Sequence, residues 1–293
     1  MGYNNTRKEK NKSKLIPEDS FFSSPGGEYM NTAENFGITV LGSGSSGNAS
    51  VIHGPQGCLL LDAGFSAKEL ERRLTASRIE PSSIRGILIT HGHSDHIGGC
   101  RVFADRYKIG AYCTAPTLQE GKRSRFLPEK QFVIAPGTAF ELCGIRIEPF
   151  TLPHDAVDTV GYTFSACGHK IGVATDLGHL TMLSAQKLRG CSVLMLESNH
   201  EPSMVHNCSR PIQTKRRILG RHGHLSNTDA MAALQMLLTE KSRNVILAHL
   251  SSECNDRGLV QNIAEDTLHN LGRNDIALDI ARQDAALPGC FIH

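Results

Sequence analysis

The sequence lacks the features that would send a chain into a membrane or out of a cell. No apolar run approaches the ~20 residues that a spanning helix needs. The N-terminus, Met1 to Lys10, carries positive charge but no apolar stretch follows it, so it does not read as a secretory signal. The 9 cysteines are odd in number and irregularly spaced, which speaks against a disulfide framework and for free thiols in a reducing compartment. A cytoplasmic protein without membrane association is expected. The net charge is only +2, so the total neither announces nor excludes a nucleic-acid partner; local patches decide that. No internal repeat of solenoid period is present.

What remains is an ordinary globular composition, with 40% hydrophobic and 20% charged residues over a length of 293. Residues 1–36 are polar and broken by Pro17, Pro25, Gly26 and Gly27, and are expected to form a flexible tail, with Met30 a candidate start. From Gly37 the pattern changes to short apolar runs punctuated by Gly, Pro and Asp, and residues 37–293 are expected to form one catalytic domain. Strands are expected at 38–41, 50–53, 58–61, 84–90, 111–113, 131–134, 140–142, 145–150, 162–166, 170–175, 193–196, 245–248 and 276–280. Helices are expected at 67–76, 97–107, 180–188, 228–240 and 256–271, with a polar segment up to His224. Two blocks of strands, each followed by helices, suggest an α/β fold with two facing sheets, a four-layer αββα sandwich.

The run Thr90-His91-Gly92-His93-Ser94-Asp95-His96 follows the apolar Ile87-Leu88-Ile89. Its small spacers let the backbone fold around one point, and neutral imidazoles with a carboxylate suit a divalent metal of zinc-like softness. No cysteine takes part, so the grouping reads as an open catalytic site. Several other apolar runs also end in a metal-capable residue: Asp62, His154, Asp176, Glu197 and His249, with His200 close behind Glu197. Strands of a sheet can deliver such residues to one place on rigid supports.

The loop Gly42-Ser43-Gly44-Ser45-Ser46-Gly47 satisfies the dinucleotide fingerprint, but Asn48 to Ile52 leads into another strand where a helix would have to start. A tight turn that approaches the metal centre or a substrate phosphate is expected instead.

His-x-His-x-Asp-His, preceded by Asp62-Ala63-Gly64 and followed by a later His, Asp and His, resembles the metallo-β-lactamase superfamily over about residues 37–283. Leu41 to Asn48, Thr175-Asp176-Leu177-Gly178, Glu197 to His200, Gly223 to Asn227 and His249-Leu250-Ser251 are similar to its YycJ/WalJ/VicX branch. Cys254-Asn255, where two asparagines are usual, and Asn207 to Gln213, which lacks the usual Tyr-Pro, depart from that branch. The resemblance implies the metallo-β-lactamase fold and a metal-dependent nuclease with 5′-to-3′ exonuclease action on DNA. It implies that His91, His93 and His154 hold one metal, that Asp95, His96 and His249 hold the second, and that Asp176 bridges both. Asp62 would brace the histidine loop by hydrogen bonds. Imidazole-rich ligation suits Zn²⁺, and the two carboxylates leave Mn²⁺ open.

Such a pair could share a hydroxide, bind a phosphoryl oxygen and stabilise the leaving oxygen. Asp95 and His224 are the expected catalytic residues, His224 contacting a phosphate or protonating the leaving oxygen. Ser226 and Asn227, at the start of a helix, either bind substrate phosphate through free amides or simply cap that helix. Lys122, Arg123, Arg125, Lys215, Arg216, Arg217 and Arg221 either contact a nucleic-acid backbone or form a solvated face. Cys254 either lines the site or is an inert buried thiol. DNA is expected over RNA. Two other functions fit the residues: a metallo-hydrolase of a small ester, lactone or thioester, and a non-catalytic regulator that binds nucleic acid or protein.

Overall fold

A computed structural model describes residues 36–292. The expected tail therefore lies outside the described residues, except for Phe36, which opens the first strand.

Strands β1 (Phe36–Gly42), β2 (Ala49–Gly54), β3 (Gly57–Leu61), β4 (Ile84–Leu88), β5 (Gly110–Thr114) and β6 (Gln131–Ile134) lie side by side in chain order. A second sheet repeats that habit with β7 (Phe140–Leu142), β8 (Ile145–Thr151), β9 (Val160–Ala166), β10 (His169–Ala174), β11 (Val193–Glu197), β12 (Asn244–Ala248) and β13 (Ala277–Ile280). The last strand, β14 (Cys290–Ile292), returns to pair antiparallel with β1. Strands β3 to β6 run parallel, as do β10 to β13.

Alternation along each strand sorts the apolar side chains between two layers. On β12, Ile246 and Ala248 pack between the sheets, while Val245 and Leu247 face the outer helices. On β3, Leu59 and Leu61 face the other sheet and Leu60 faces outward. Burial on both faces explains why these strands read as unbroken apolar runs. Helices α1 (Ala67–Ala76), α2 (Ser94–Ile97), α3 (Cys100–Tyr107) and α4 (Ala115–Ser124) belong to the first half of the chain. The second half adds α5 (Met182–Leu188), α6 (Pro202–Asn207), α7 (Ile212–Ile218), α8 (Asn227–Leu237) and α9 (Arg257–Asn270). One outer core joins α1 and α3 to the first sheet, and another joins α5, α8 and α9 to the second. The architecture is the expected four-layer αββα sandwich.

The expected helix at 97–107 starts at Cys100, and a separate short helix, α2, forms ahead of it where none was expected. Gly98 and Gly99 separate α2 from α3, and a Cβ on Gly99 would stand 1.9 Å from the Phe65 carbonyl oxygen. Helices α4, α6 and α7 and strand β14 form where none was expected. Thr114 caps α4 by accepting from the Thr117 N–H, and proline opens both α4 and α6.

Candidate metal centre

The metal-capable residues sit just beyond the carboxyl ends of strands, where the chain must turn. Asp62 follows β3, Asp176 follows β10 and His249 follows β12, each in a left-handed conformation with φ of 58°, 60° and 57°. His91 to His96 follow β4, His154 follows β8 and Glu197 ends β11.

Folding brings these residues into one cluster. The nearest ligating atoms of His91, His93 and His154 lie within 4.8 Å of one another, and so do those of Asp95, His96 and His249. Asp176 stands between the two groups. Its Oδ2 is 3.2 Å from His96 Nε2, and its Oδ1 is 3.8 Å from His154 Nε2 and 3.5 Å from His249 Nδ1.

Hydrogen bonds fix which nitrogen each ring offers. His154 Nδ1 is 3.0 Å from the Gly223 carbonyl oxygen, which can only accept, so that nitrogen carries the proton. His249 Nδ1 donates to Glu197 Oε1 (2.8 Å) and His96 Nδ1 donates to Asp62 Oδ2 (2.8 Å). Thr90 Oγ1 donates to Asp62 Oδ2 (2.8 Å), and so it accepts from His91 Nδ1 (3.0 Å). The Nε2 atoms of His91, His154 and His249 and the Oδ2 of Asp176 are buried without a hydrogen-bond partner among the described residues. Buried polar atoms are rarely left so. Three imidazole nitrogens and a carboxylate oxygen, all unsatisfied in one cluster, fit divalent cations.

Electrostatics agree with that fit. Burial, with the neighbouring His96, pushes the pKa of His91 well below its usual value and keeps it neutral. Against the cost of burial, Asp176 and Asp62 hold His96 well above the usual imidazole range. Burial likewise opposes charge on Asp176, but His249 and His96 more than compensate and its carboxyl lies well below the normal range. Carboxylates that favour positive charge this strongly also favour a cation.

Outer residues hold the cluster rigid. Asp62 accepts the Thr90 backbone N–H (2.8 Å) as well as the Thr90 hydroxyl and His96, and so braces the histidine loop as expected. The glycine-rich loop acts on the same place. Ser43 Oγ accepts the His249 backbone N–H (3.0 Å), and the Asn48 backbone N–H donates to the Asp95 carbonyl (2.8 Å). Glu197 is the hub that sequence reasoning left without a role. Its Oε1 accepts from His249 Nδ1 (2.8 Å) and His224 Nδ1 (2.8 Å), and its Oε2 accepts the N–H groups of Leu177 (3.0 Å) and Leu225 (3.0 Å). Burial opposes ionisation, yet His224 and its bond bring the Glu197 pKa down to about 2. Its place at a strand end was the signal in the sequence; its partners were not.

A cavity of about 190 Å³ opens over the cluster, lined by His93, Asp95, Asp176, His249, His224 and Ser45, and by Arg210, Thr214 and Arg217 from around α7. Of the basic residues singled out in the sequence, Arg217 lines it. Lys215 instead donates to the His206 carbonyl (2.7 Å), Arg221 lies against His179 (3.3 Å), and Arg123, Arg125 and Arg216 are exposed elsewhere. The Lys122 side chain lies outside the described residues. Ser226 and Asn227 do not line the cavity. Ser226 caps α8, accepting the Asp229 N–H (3.1 Å), and Asn227 is wholly buried against Ser198 (2.8 Å) and Asn255 (2.9 Å). Their side chains are committed to the helix start. Cys254 is buried in a small apolar cluster with Val205 and Ile218 and does not itself line the cavity. No helix among the described residues is long and apolar enough to cross a membrane.

The family pattern described as "Beta-lactamase superfamily domain" matches residues 58–250. The chain is 31% identical over 237 residues to "Exodeoxyribonuclease YycJ" of Bacillus anthracis, covering 80% of this chain and 90% of that one. It is 31% identical over 250 residues to "Exodeoxyribonuclease WalJ" of Streptococcus pneumoniae serotype 2 (strain D39 / NCTC 7466), covering 84% and 91%. Among solved structures, Zn(2+)-bound PqqB from Methylobacterium extorquens superposes with a TM-score of 0.63 at 16% identity, covering 85% of this chain and 99% of that one.

Proposed function

The chain belongs to the beta-lactamase superfamily and is a metal-dependent hydrolase, and from that premise we propose a nuclease that holds two divalent cations and removes nucleotides from DNA in the 5′-to-3′ direction. Residues 37–293 would form its one catalytic domain. The observation that carries the reading is the set of buried, unpartnered Nε2 and Oδ2 atoms converging at one rim. The names of the two curated relatives supply the bond and the polymer.

His91, His93 and His154 would hold one cation, Asp95, His96 and His249 the other, with Asp176 shared. Five imidazoles suit Zn²⁺, while the two carboxylates suit Mn²⁺. Bound there, the cations supply Lewis acidity toward a phosphoryl oxygen and lower the pKa of water toward neutrality. The rest falls to the chain. Glu197 receives His224 Nδ1–H, so His224 presents Nε2 to the cavity. Burial works against its charge, but Glu197 raises its pKa above the usual value, which favours the doubly protonated ring. It can then give the Nε2 proton to the departing 3′-oxygen. Asp62, Ser43 and Asn48 keep the turns from relaxing as charge develops.

Purified protein loaded with Zn²⁺ or Mn²⁺ is expected to degrade 5′-labelled DNA. His91→Ala and Asp95→Ala are expected to abolish this. The same trace activity in wild type and both variants would end the nuclease reading, and turnover of a thioester or lactone panel with DNA left intact would replace it.

A further inference from the structure

We propose that Arg210 and Arg217 form a two-point grip on the phosphates of the strand being cut, and that the adjacent cations Lys215, Arg216 and Arg221 take no part in it. The inference rests on the nuclease reading and names what holds that substrate.

Each guanidinium is anchored by one carboxylate through Nε. Arg210 Nε donates to Glu253 Oε2 (2.6 Å), and Arg217 Nε donates to Asp155 Oδ2. No other hydrogen bond ties either side chain among the described residues, so Nη1 and Nη2, with four of the five N–H donors, remain for an anion. Planar forks of this kind match phosphate oxygens in pairs. Anchoring through Nε also removes side-chain freedom before a ligand arrives, which lowers the ordering cost on binding.

The helix explains why these cations and not their neighbours face the site. Thr214, Arg217 and Ile218 share one face of α7 at spacings of three and four. Ile218 is buried against Val205 and Cys254 and fixes that face inward. Arg217 and Thr214 therefore reach the cavity wall that Arg210 completes. Lys215 and Arg216 project elsewhere, and Lys215 is already spent on a carbonyl. At about 190 Å³ the cavity is below the ~300–1,000 Å³ of typical ligand pockets. It suits a phosphate group and not a base pair. Contacts confined to phosphate carry no sequence information, so binding should be indifferent to sequence.

The test is binding without catalysis. A 5′-phosphorylated, 3′-fluorescein single-stranded DNA is titrated with protein in EDTA and read by anisotropy across a salt series. Arg210→Ala and Arg217→Ala are each expected to weaken binding about tenfold at low salt. Each should also flatten the plot of log affinity against log salt by about 0.7. Arg217→Lys should keep the slope while losing part of the affinity, and Lys215→Ala and Arg216→Ala should match wild type. Wild-type binding by both arginine-to-alanine variants, or losses in the Lys215 and Arg216 variants as large as theirs, would overturn the grip and leave the nuclease reading standing. A wild-type protein that neither binds this DNA nor degrades it when metal-loaded would remove both.

Discussion

Replacing Glu197 with glutamine preserves shape and removes one charge, and the consequence can be worked bond by bond. The carboxylate accepts four hydrogen bonds, two from histidine rings at Oε1 and two from backbone N–H groups at Oε2. Glutamine offers one oxygen and one amino group. With the oxygen toward the rings, the amino group faces the N–H groups of Leu177 and Leu225, donor against donor. With the oxygen toward the backbone, the amino group faces His249 and His224 and drives both protons onto Nε2, the nitrogen meant for metal or substrate. Two of the four bonds fail in the first arrangement, and the second keeps them only with both rings in the tautomer that turns a proton toward the site. At ~1–3 kcal/mol for each buried group left unpaired, the metal-free protein should lose about 2–6 kcal/mol in the first arrangement. Loss of an outer ligand partner of this kind should also weaken metal binding roughly 10–100-fold. Chelator competition measures the second effect and urea denaturation of metal-free protein the first. An E197Q variant with metal affinity within about threefold of wild type would show that Glu197 does not set the ring tautomers, and the argument from orphaned nitrogens would lose its support.

Two more outcomes follow from the same geometry. A Cβ on Gly64 would stand 1.7 Å from the Asp95 carbonyl oxygen, a backbone atom that cannot swing aside, so Gly64→Ala should force the Asp95-His96 turn outward. The cost should be about 2 kcal/mol or more, with loss of bound metal; an unchanged melting temperature and full metal content by mass spectrometry would contradict it. In the metal-free protein the contributions of His249 and Glu197 should both be fully present between pH 4.5 and 6.5. Against burial, Asp176, Asp95 and Glu197 raise His249 from 6.5 to about 10, so its contribution is complete below pH 6.5 and disappears as pH climbs through 10. Glu197, lowered from 4.5 to about 2, contributes fully above pH 4.5 and loses that contribution as pH falls through 2. Urea midpoints of EDTA-treated protein that rise steadily from pH 6 to pH 10 would contradict the first half of this expectation.

The sequence was most legible where chemistry is written in residue identity at fixed spacing. His91, His93, Asp95 and His96 announce a metal site without a fold, and Asp62, Asp176 and His249 stand out because each closes an apolar run. The two-sheet architecture was legible from the order of strands and helices. Partnership was harder to read. Val245 to Ala248 is apolar on both faces, so no pattern says which face meets the other sheet. The break between α2 and α3 comes from the close approach of Gly99 to Phe65, a contact between distant parts of the chain. Helices α6 and α7 are short and polar and show little apolar rhythm. The cap at Ser226 was readable, but the enclosure of Asn227 by Ser198 and Asn255 depends on three separate loops. Four bonds onto one glutamate cannot be read from its neighbours in sequence.

Asp62, Asp176 and His249 all adopt a backbone shape that suits glycine better than any residue with a side chain. Holding a larger residue there costs roughly 1 kcal/mol per position. Glycine at these three bends would relieve the backbone yet leave the partners of Asp62 and His249 unpaired, at ~1–3 kcal/mol for each buried group, so the exchange would loosen the protein as well as silence it. Durability and reactivity are held by the same few residues, and the tension in the backbone is the cost of keeping both.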